Sequence, residues 1–194
     1  MKRITLVLIG LALLAMPLAA SQFQQLPFDQ VARESSFVVR GTVEQTWSKW
    51  DDSHEVIFTY ATVRVHRYFG EATGPDTLVV REVGGMVDGY VQEAIGFPGI
   101  RTGENVVFFL SPVEEGGEYR IHAYNQGKYL VVNRGGVEVL IEDPFKQGEG
   151  RPERTDRGPR VNAIDSSAGI TIDEFAGMVE AARAGDAVNV VDMK

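Results

Sequence analysis

Apolar and polar residues alternate along much of the chain with a period of two, which is typical of half-buried β-strands. In residues 37–43, Val39 and Val43 share one face of a predicted strand, and Arg40 and Thr42 share the other. Because successive strand residues point to opposite faces, the apolar face is expected to line a core.

The longest predicted strand covers residues 55–69, with Ala61, Val63 and Val65 on its inner face. Residues 106–110 are apolar throughout, which indicates a strand that is buried on both faces. Shorter strands are predicted over residues 76–83, 119–124, 129–132 and 137–141.

One helix is predicted near the end of the chain. Thr171 and Glu174 have the spacing of a capping box, and Gly185 is a typical stop signal. An apolar stripe at helical spacing follows the cap, made of Phe175, Met178, Val179 and Ala182. We expect this stripe to dock on the strands. The alternative is a helix that binds a partner.

Together these elements predict a mainly β protein, with five or six strands closed into a small OB-like barrel and followed by a C-terminal helix. A β-sandwich is the alternative. The barrel domain is assigned to residues 21–142, a Gly-, Pro- and Arg-rich flexible linker to 143–169, and the helix to 170–185.

The first 20 residues have the pattern of a secretory signal peptide. Lys2 and Arg3 precede the apolar run Ile4–Met16, and small residues follow at Ala19–Ser21. We therefore expect a secreted or periplasmic protein with no membrane span after processing. The apolar run is short for a bilayer span, and an uncleaved N-terminal anchor is the alternative.

The amino-acid composition excludes several kinds of site and partner. The chain has no cysteine, which excludes disulfides, thiolate catalysis, cysteine zinc sites and a lipid anchor on cysteine. It carries 19 Lys and Arg against 27 Asp and Glu. Without Lys2 and Arg3, 17 basic residues would face 27 acidic ones, a net charge of −10. Such a surface repels phosphates, so no nucleic-acid partner is expected.

No motif indicates an enzyme or a cofactor. Nucleophile-elbow, zinc-helix, phosphate-loop and dinucleotide patterns do not occur in the sequence. The three histidines, His54, His66 and His122, are isolated from one another, and His66 and His122 are expected on the solvent side of their strands. A metal-assisted hydrolase using His66, His122 and a nearby acid is the less favoured alternative.

Two loops are the candidate binding surface. The first is the polar hairpin connection Trp47–Glu55, in which Trp47, Trp50, Asp51, Asp52 and His54 are the candidate residues. The phase of the strand places Trp47 inward, where it would close the barrel end, and Trp50 outward, where it would be exposed. A charged hairpin tip without a binding role is the alternative.

The second loop is the glycine-rich segment 84–99, in which Gly84, Gly85 and Tyr90 are the candidate residues. Glycines at this position favour a bulge or tight bend, or a flexible binding loop over the barrel mouth.

Ser36–Val43 (SFVVRGTV) resembles the opening strand of netrin modules and of domains like the tissue inhibitors of metalloproteinases. Tyr60–Val65, the following Phe69–Gly70 and Arg101–Leu110 resemble later strands of those domains. The layout is also similar to that of uncharacterised exported bacterial proteins. The resemblance implies an OB-like barrel that binds proteins. In the animal inhibitors an N-terminal cysteine chelates the protease zinc, so no inhibitory residue carries over to this cysteine-free chain.

The sequence therefore favours a non-enzymatic exported domain that binds a protein partner, such as a secreted protease or an envelope component. A carbohydrate- or peptide-binding module using Trp50 and Tyr90 is the alternative.

Overall fold

The computed structural model describes residues 25–114, 116–143, 169–186 and 188. The predicted signal peptide and nearly all of the predicted linker lie outside the described residues. The helices are α1 (Phe28–Glu34) and α2 (Ile172–Ala184), and Tyr124–Gly127 forms a 3₁₀ turn. The strands are β1 (Phe37–Trp50), β2 (Ile57–Tyr68), β3 (Thr77–Val83), β4 (Gly85–Val87), β5 (Tyr90–Gln92), β6 (Asn105–Pro112), β7 (Tyr119–Ile121), β8 (Lys128–Arg134), β9 (Val137–Glu142) and β10 (Ile170–Thr171).

Five strands close into a barrel in the order β1-β2-β3-β7-β6, and β6 pairs again with β1. All of these pairings are antiparallel except β3 with β7, which is parallel and consists of the single pair Val80–Tyr119. The prediction of a small OB-like closed barrel with a C-terminal helix is confirmed, and the sandwich alternative is wrong.

The central strand β6 is shared between two cores. Val106, Phe108 and Leu110 point into the barrel, where they pack against residues such as Val39, Val63 and Val80. Val107 and Phe109 point outward and are covered by the helices. This two-sided burial explains the uninterrupted apolar run and confirms the prediction made from it.

The outer core is built by α1, α2 and a sheet extension of β8, β9 and β10 beside β6. Phe175 of α2 is its centre, with ring centroids 5.1 Å from Phe69, 5.8 Å from Phe28 and 5.9 Å from Phe109. Thr171 and Glu174 form the predicted capping box, and α2 docks on the barrel as expected.

A buried charge cluster fixes the end of β9. The fully buried Lys128 Nζ donates to Glu104 Oε2 and Asp143 Oδ2, both at 2.8 Å, and to the carbonyl of Gly99 at 2.5 Å. Asp143 was assigned to the flexible linker, but its carboxylate is buried in this cluster. The chain is therefore held in the domain at least as far as Asp143.

A β-bulge in β1 reverses the phase of its second half. Val43 pairs with Val63, but Gln45 pairs with Thr62, so Glu44 has no partner of its own on β2. Since one extra residue exchanges the faces of everything that follows, the inward side changes from odd to even positions. Among the described residues, no helix has the length and apolar character needed to cross a membrane.

Candidate functional site

The structure brings the two predicted binding loops together at Trp50. Its indole ring lies parallel to the His54 imidazole, with centroids 6.2 Å apart and an interplanar angle of 14°. Tyr90 of β5 meets the same indole at 5.8 Å in an edge-on contact. Three of the candidate residues, from two separate loops, therefore form one aromatic cluster.

The bulge at Glu44 corrects the expected roles of the two tryptophans. Trp50 lies on the inward side and is half-buried by His54 and Tyr90. Trp47 lies on the outer face, 37% exposed, stacked on Tyr60 with ring centroids 5.5 Å apart. The prediction that Trp47 is inward and Trp50 is exposed is therefore wrong, because strict alternation cannot register the extra residue.

Asp51 shapes the β1–β2 loop. Its Oδ1 accepts hydrogen bonds from the backbone N–H groups of Glu55 (2.8 Å) and Val56 (2.9 Å). Its Oδ2 accepts from the Ser53 hydroxyl at 2.5 Å, and these bonds lower the pKa of the Asp51 carboxyl to about 2. Asp51 is thus committed to the turn, whereas the neighbouring Asp52 is exposed.

The glycine pair Gly84–Gly85 holds the β4–β5 hairpin against the barrel. The Gly84 N–H donates to the carbonyl of Ile57 at 2.8 Å. A Cβ atom on Gly85, which has a φ of 141°, would lie 2.5 Å from Thr59 Oγ1 and 2.6 Å from Ser48 Oγ. The hairpin can approach β1 and β2 only because this residue has no side chain. The tight-bend interpretation of Gly84 and Gly85 agrees with this geometry.

The β4–β5 hairpin exposes apolar side chains on both of its faces. Met86 and Val91 pair across one face, and Tyr90 lies on the other. Met86, Tyr90, Val91 and the following Ile95 are each 66% exposed. We refer to Trp50, Met86, Tyr90 and Val91 as the hairpin surface. Several exposed apolar groups on one short hairpin mark an interaction site more often than isolated ones do.

The two loops that form the hairpin surface are rich in acidic residues. Residues 51–63 contain Asp51, Asp52 and Glu55, and residues 84–100 contain Asp88 and Glu93. Neither segment contains a lysine or an arginine, although Lys49 directly precedes Trp50. The loops that form this surface are therefore apolar and negatively charged.

A second feature is a cleft of about 710 Å³ beside β3, β7 and the 3₁₀ turn. Its lining includes Phe58, Glu82, Phe97, Arg120, His122 and Tyr124. No sequence motif marks this cleft, although the alternation Leu78, Val80, Glu82 places the Glu82 carboxyl at an inward position of β3.

Glu82 is the buried acid of the cleft, with only 4% of its surface exposed. Its Oε1 accepts a hydrogen bond from the Ile121 N–H at 2.5 Å. Burial raises the pKa of the Glu82 carboxyl to about 8, although the Ile121 bond and the charges of Arg120 and Arg81 act in the opposite direction. The carboxyl is therefore largely protonated at neutral pH.

His122 lies at the edge of the same cleft. The prediction that it lies on the solvent side of its strand is therefore wrong. Its side chain is 19% exposed, and its Nδ1 is 3.0 Å from Ser111 Oγ. Its Nε2 is buried and 3.5 Å from Glu34 Oε2, without the geometry of a hydrogen bond. The side chains of Ser111, His122 and Glu34 thus follow one another in space, as in a catalytic triad. Ser111, however, is not among the residues that line the cleft.

The two strand histidines do not share a site. His66 is exposed and bonds to Thr42 Oγ1 at 2.8 Å, and Thr42 in turn bonds to Asn105 at the start of β6. His122 contacts Ser111, six residues further along β6, a separation of about 20 Å along a strand. Within the described ranges, no three His, Cys, Asp or Glu side chains are placed to hold a metal ion.

Backbone strain adjoins the cleft. Ala123 and Tyr124 both adopt left-handed conformations, with φ of 58° and 57°. Non-glycine residues rarely adopt this conformation, and such strain concentrates at functional sites. It also ends β7 at Ile121, so the strand is shorter than the predicted 119–124.

No known protein family matches the sequence, and no curated protein is significantly similar to it. The resemblance to netrin modules and exported bacterial proteins stays a prediction.

Proposed function

We propose that this protein is a non-enzymatic exported domain that binds a protein partner through the hairpin surface. The observation that carries the proposal is the exposure of Met86, Tyr90, Val91 and Ile95, each at 66%. Leaving this much apolar surface in water is unfavourable by about 25 cal/mol per Å², so covering it would favour association.

The position of the surface in the barrel supports the proposal. In OB folds, the loop between the first two strands is one of the regions that bind ligands. Here that loop carries Trp50 at its base and His54 within it, and the β4–β5 hairpin packs beside it. Tryptophan and tyrosine are enriched among residues that dominate binding energy at interfaces.

The charge of the two loops defines the partner further. Residues 47–55 and 84–99 together contain five acidic residues and one basic residue, Lys49, and this balance favours a partner whose apolar contact is surrounded by Lys or Arg side chains. The same charge disfavours nucleic acid and anionic lipid. A secreted protease or an envelope component with such a basic, apolar patch is the partner we propose.

A carbohydrate- or peptide-binding module is the second candidate, favoured by the contact between Trp50 and Tyr90. One face of the Trp50 indole is occupied by His54, and Tyr90 meets it at an interplanar angle of 67°. The pair therefore does not form a flat platform for a sugar ring, which favours the protein partner.

The test uses the processed protein as bait against the exported fraction of its own cells, with chemical cross-linking and mass spectrometry. Wild type is compared with the double variant Tyr90→Ser/Val91→Ser. The matched control is Val137→Ser, an apolar residue 51% exposed at the remote β8–β9 turn.

We expect one exported protein to be recovered with wild type and Val137→Ser and lost with the double variant. Equal recovery with all three baits would place the contact elsewhere. Retention of a soluble glycan instead of a protein would support the second candidate. Export itself is tested by N-terminal sequencing, which should find a chain starting at Ser21 or Gln22.

A further inference from the structure

The cleft beside β3 and β7 has the size and lining of a small-molecule site. Its volume of about 710 Å³ lies within the range of ligand pockets in proteins. Phe58, Phe97 and Tyr124 supply aromatic walls, and Val83 and Ala123 add apolar surface. Such a lining would remove part of the surface of a small apolar molecule from water.

Two polar groups of the cleft are buried, the Glu82 carboxyl and the His122 Nε2 atom. Glu82 uses Oε1 for the Ile121 N–H and belongs to the lining of the cleft. A buried carboxyl that is protonated can donate a hydrogen bond to an acceptor in the cleft. The buried His122 Nε2, which has no hydrogen-bond partner in the structure, lies at the edge of the same lining.

Two arginines lie around these groups. Arg120 and Arg81 both line the cleft and both act electrostatically on Glu82. Arg81 is already engaged, with Glu118 at 3.3 Å and the Phe58 ring at 4.7 Å. Arg120 is exposed and makes no ion pair with another described residue. Glu114, which is also exposed, is the other acid of the lining.

We propose that this cleft binds a small organic acid, whose apolar body packs on Phe58, Phe97 and Tyr124 and whose carboxylate bonds to Arg120 and to the Glu82 carboxyl. The site is separate from the hairpin surface and does not depend on the protein-binding function. A carboxylate accepts several hydrogen bonds and pairs with a guanidinium in bidentate geometry. Arg81 is paired with Glu118, but Arg120 has no ion-pair partner among the described residues, so its charge favours an anion.

The test compares two compounds of matched shape, 4-phenylbutyrate and 4-phenylbutylamine, in NMR titrations of the processed protein at neutral pH. The backbone amides of Ile121 and Ala123 report directly on the cleft. We expect saturable shifts at these amides with the acid at millimolar concentration or below, and none with the amine.

Two variants and one control locate the contact. Arg120→Ala is expected to weaken binding of the acid about tenfold or more, the usual loss for a charge-assisted hydrogen bond. Glu82→Gln keeps both a donor and an acceptor and should retain binding within about threefold. The control Arg64→Ala, an exposed arginine of β2 that pairs with Glu44, should bind as wild type does.

The proposal is overturned if the amine binds as tightly as the acid, or if Arg120→Ala binds the acid unchanged. It is equally overturned if 4-phenylbutyrate produces no saturable shift at Ile121 and Ala123 up to about 10 mM, since a site of this size and charge should hold it at least with millimolar affinity.

Discussion

The Glu82 carboxyl accepts the backbone N–H of Ile121 at 2.5 Å, at the point where β3 and β7 separate. These two strands share only the pair Val80–Tyr119. A side chain thus continues the hydrogen bonding where the backbone ladder ends. Because burial raises the pKa of this carboxyl to about 8, we expect the closure of the barrel to depend on pH.

Ionisation of Glu82 is expected to destabilise the fold as pH rises. Burial raises its pKa from 4.5 to about 8, so the folded chain keeps a proton that the unfolded chain has released. The contribution is complete below pH 4.5, decreases between pH 4.5 and 8, and is lost above that. The free energy of unfolding should fall by at most about 1.4 kcal/mol per pH unit in this range.

Urea unfolding between pH 4 and 9 measures this slope, and Glu82→Gln is the control. Glutamine does not ionise, and its amide oxygen can still accept the Ile121 N–H. The variant should therefore show a clearly smaller slope. The same slope in both proteins would mean that other groups control the pH dependence.

Lys128→Met is expected to destabilise the protein by about 3–5 kcal/mol, because it leaves Glu104 and Asp143 without their buried cation. Chemical denaturation at neutral pH measures the loss. Arg64→Met, which breaks only an exposed ion pair with Glu44, should cost about 1 kcal/mol or less. Similar losses of stability in the two variants would show that the buried Lys128 cluster contributes no more than an exposed ion pair does.

Phe175→Ala is expected to cost about 3–5 kcal/mol, since it opens a cavity between α2 and the outer face of the barrel. If α2 belongs to the same cooperative unit, circular dichroism and tryptophan fluorescence should report one shared transition. Loss of helical signal before the fluorescence change would instead show that α2 unfolds independently.

Gly85→Ala is expected to displace the β4–β5 hairpin, because its Cβ would lie within 2.6 Å of both Thr59 Oγ1 and Ser48 Oγ. The overpacking should cost about 1–3 kcal/mol. Gly89→Ala is the matched control: it also has a positive φ, 84°, but its Cβ would have no heavy atom within 4 Å. The control should be destabilised only by the backbone strain that alanine has at a positive φ, about 1–2 kcal/mol.

The two variants are also distinguished by the indole environment. Gly85→Ala should alter the near-UV circular dichroism of Trp50 by moving Tyr90 away from it, whereas Gly89→Ala should leave that signal close to wild type. An unchanged spectrum in both would mean that the hairpin absorbs the extra methyl group without moving.

Much of the fold could be predicted from periodicity alone. The run 106–110 correctly indicated a strand with two buried faces, and the Thr171–Glu174 spacing correctly placed the start of α2. Both patterns depend only on residues that are close together in the sequence, so they can be recognised without the structure.

The errors arose where local pattern and three-dimensional register differ. The bulge at Glu44 leaves no mark in the alternation, so the faces of Trp47 and Trp50 were exchanged. His122 was placed toward solvent because its coverage comes from Glu34 and Ser111, which are remote in sequence. The cleft depends on the left-handed backbone at Ala123 and Tyr124. Alanine and tyrosine rarely adopt this conformation, so the sequence does not predict it.

The unpaired residue at Glu44 has a consequence for how this surface can change over generations. Whether Trp50 lies on the same side as Tyr90 is determined by the number of residues between Val43 and Trp50, and not by their chemical identity. Point substitutions between Val43 and Trp50 can therefore accumulate while the arrangement of the rings is kept. A single-codon deletion between Val43 and Trp47 would move each indole to the opposite face of β1 in one step, and so separate Trp50 from Tyr90.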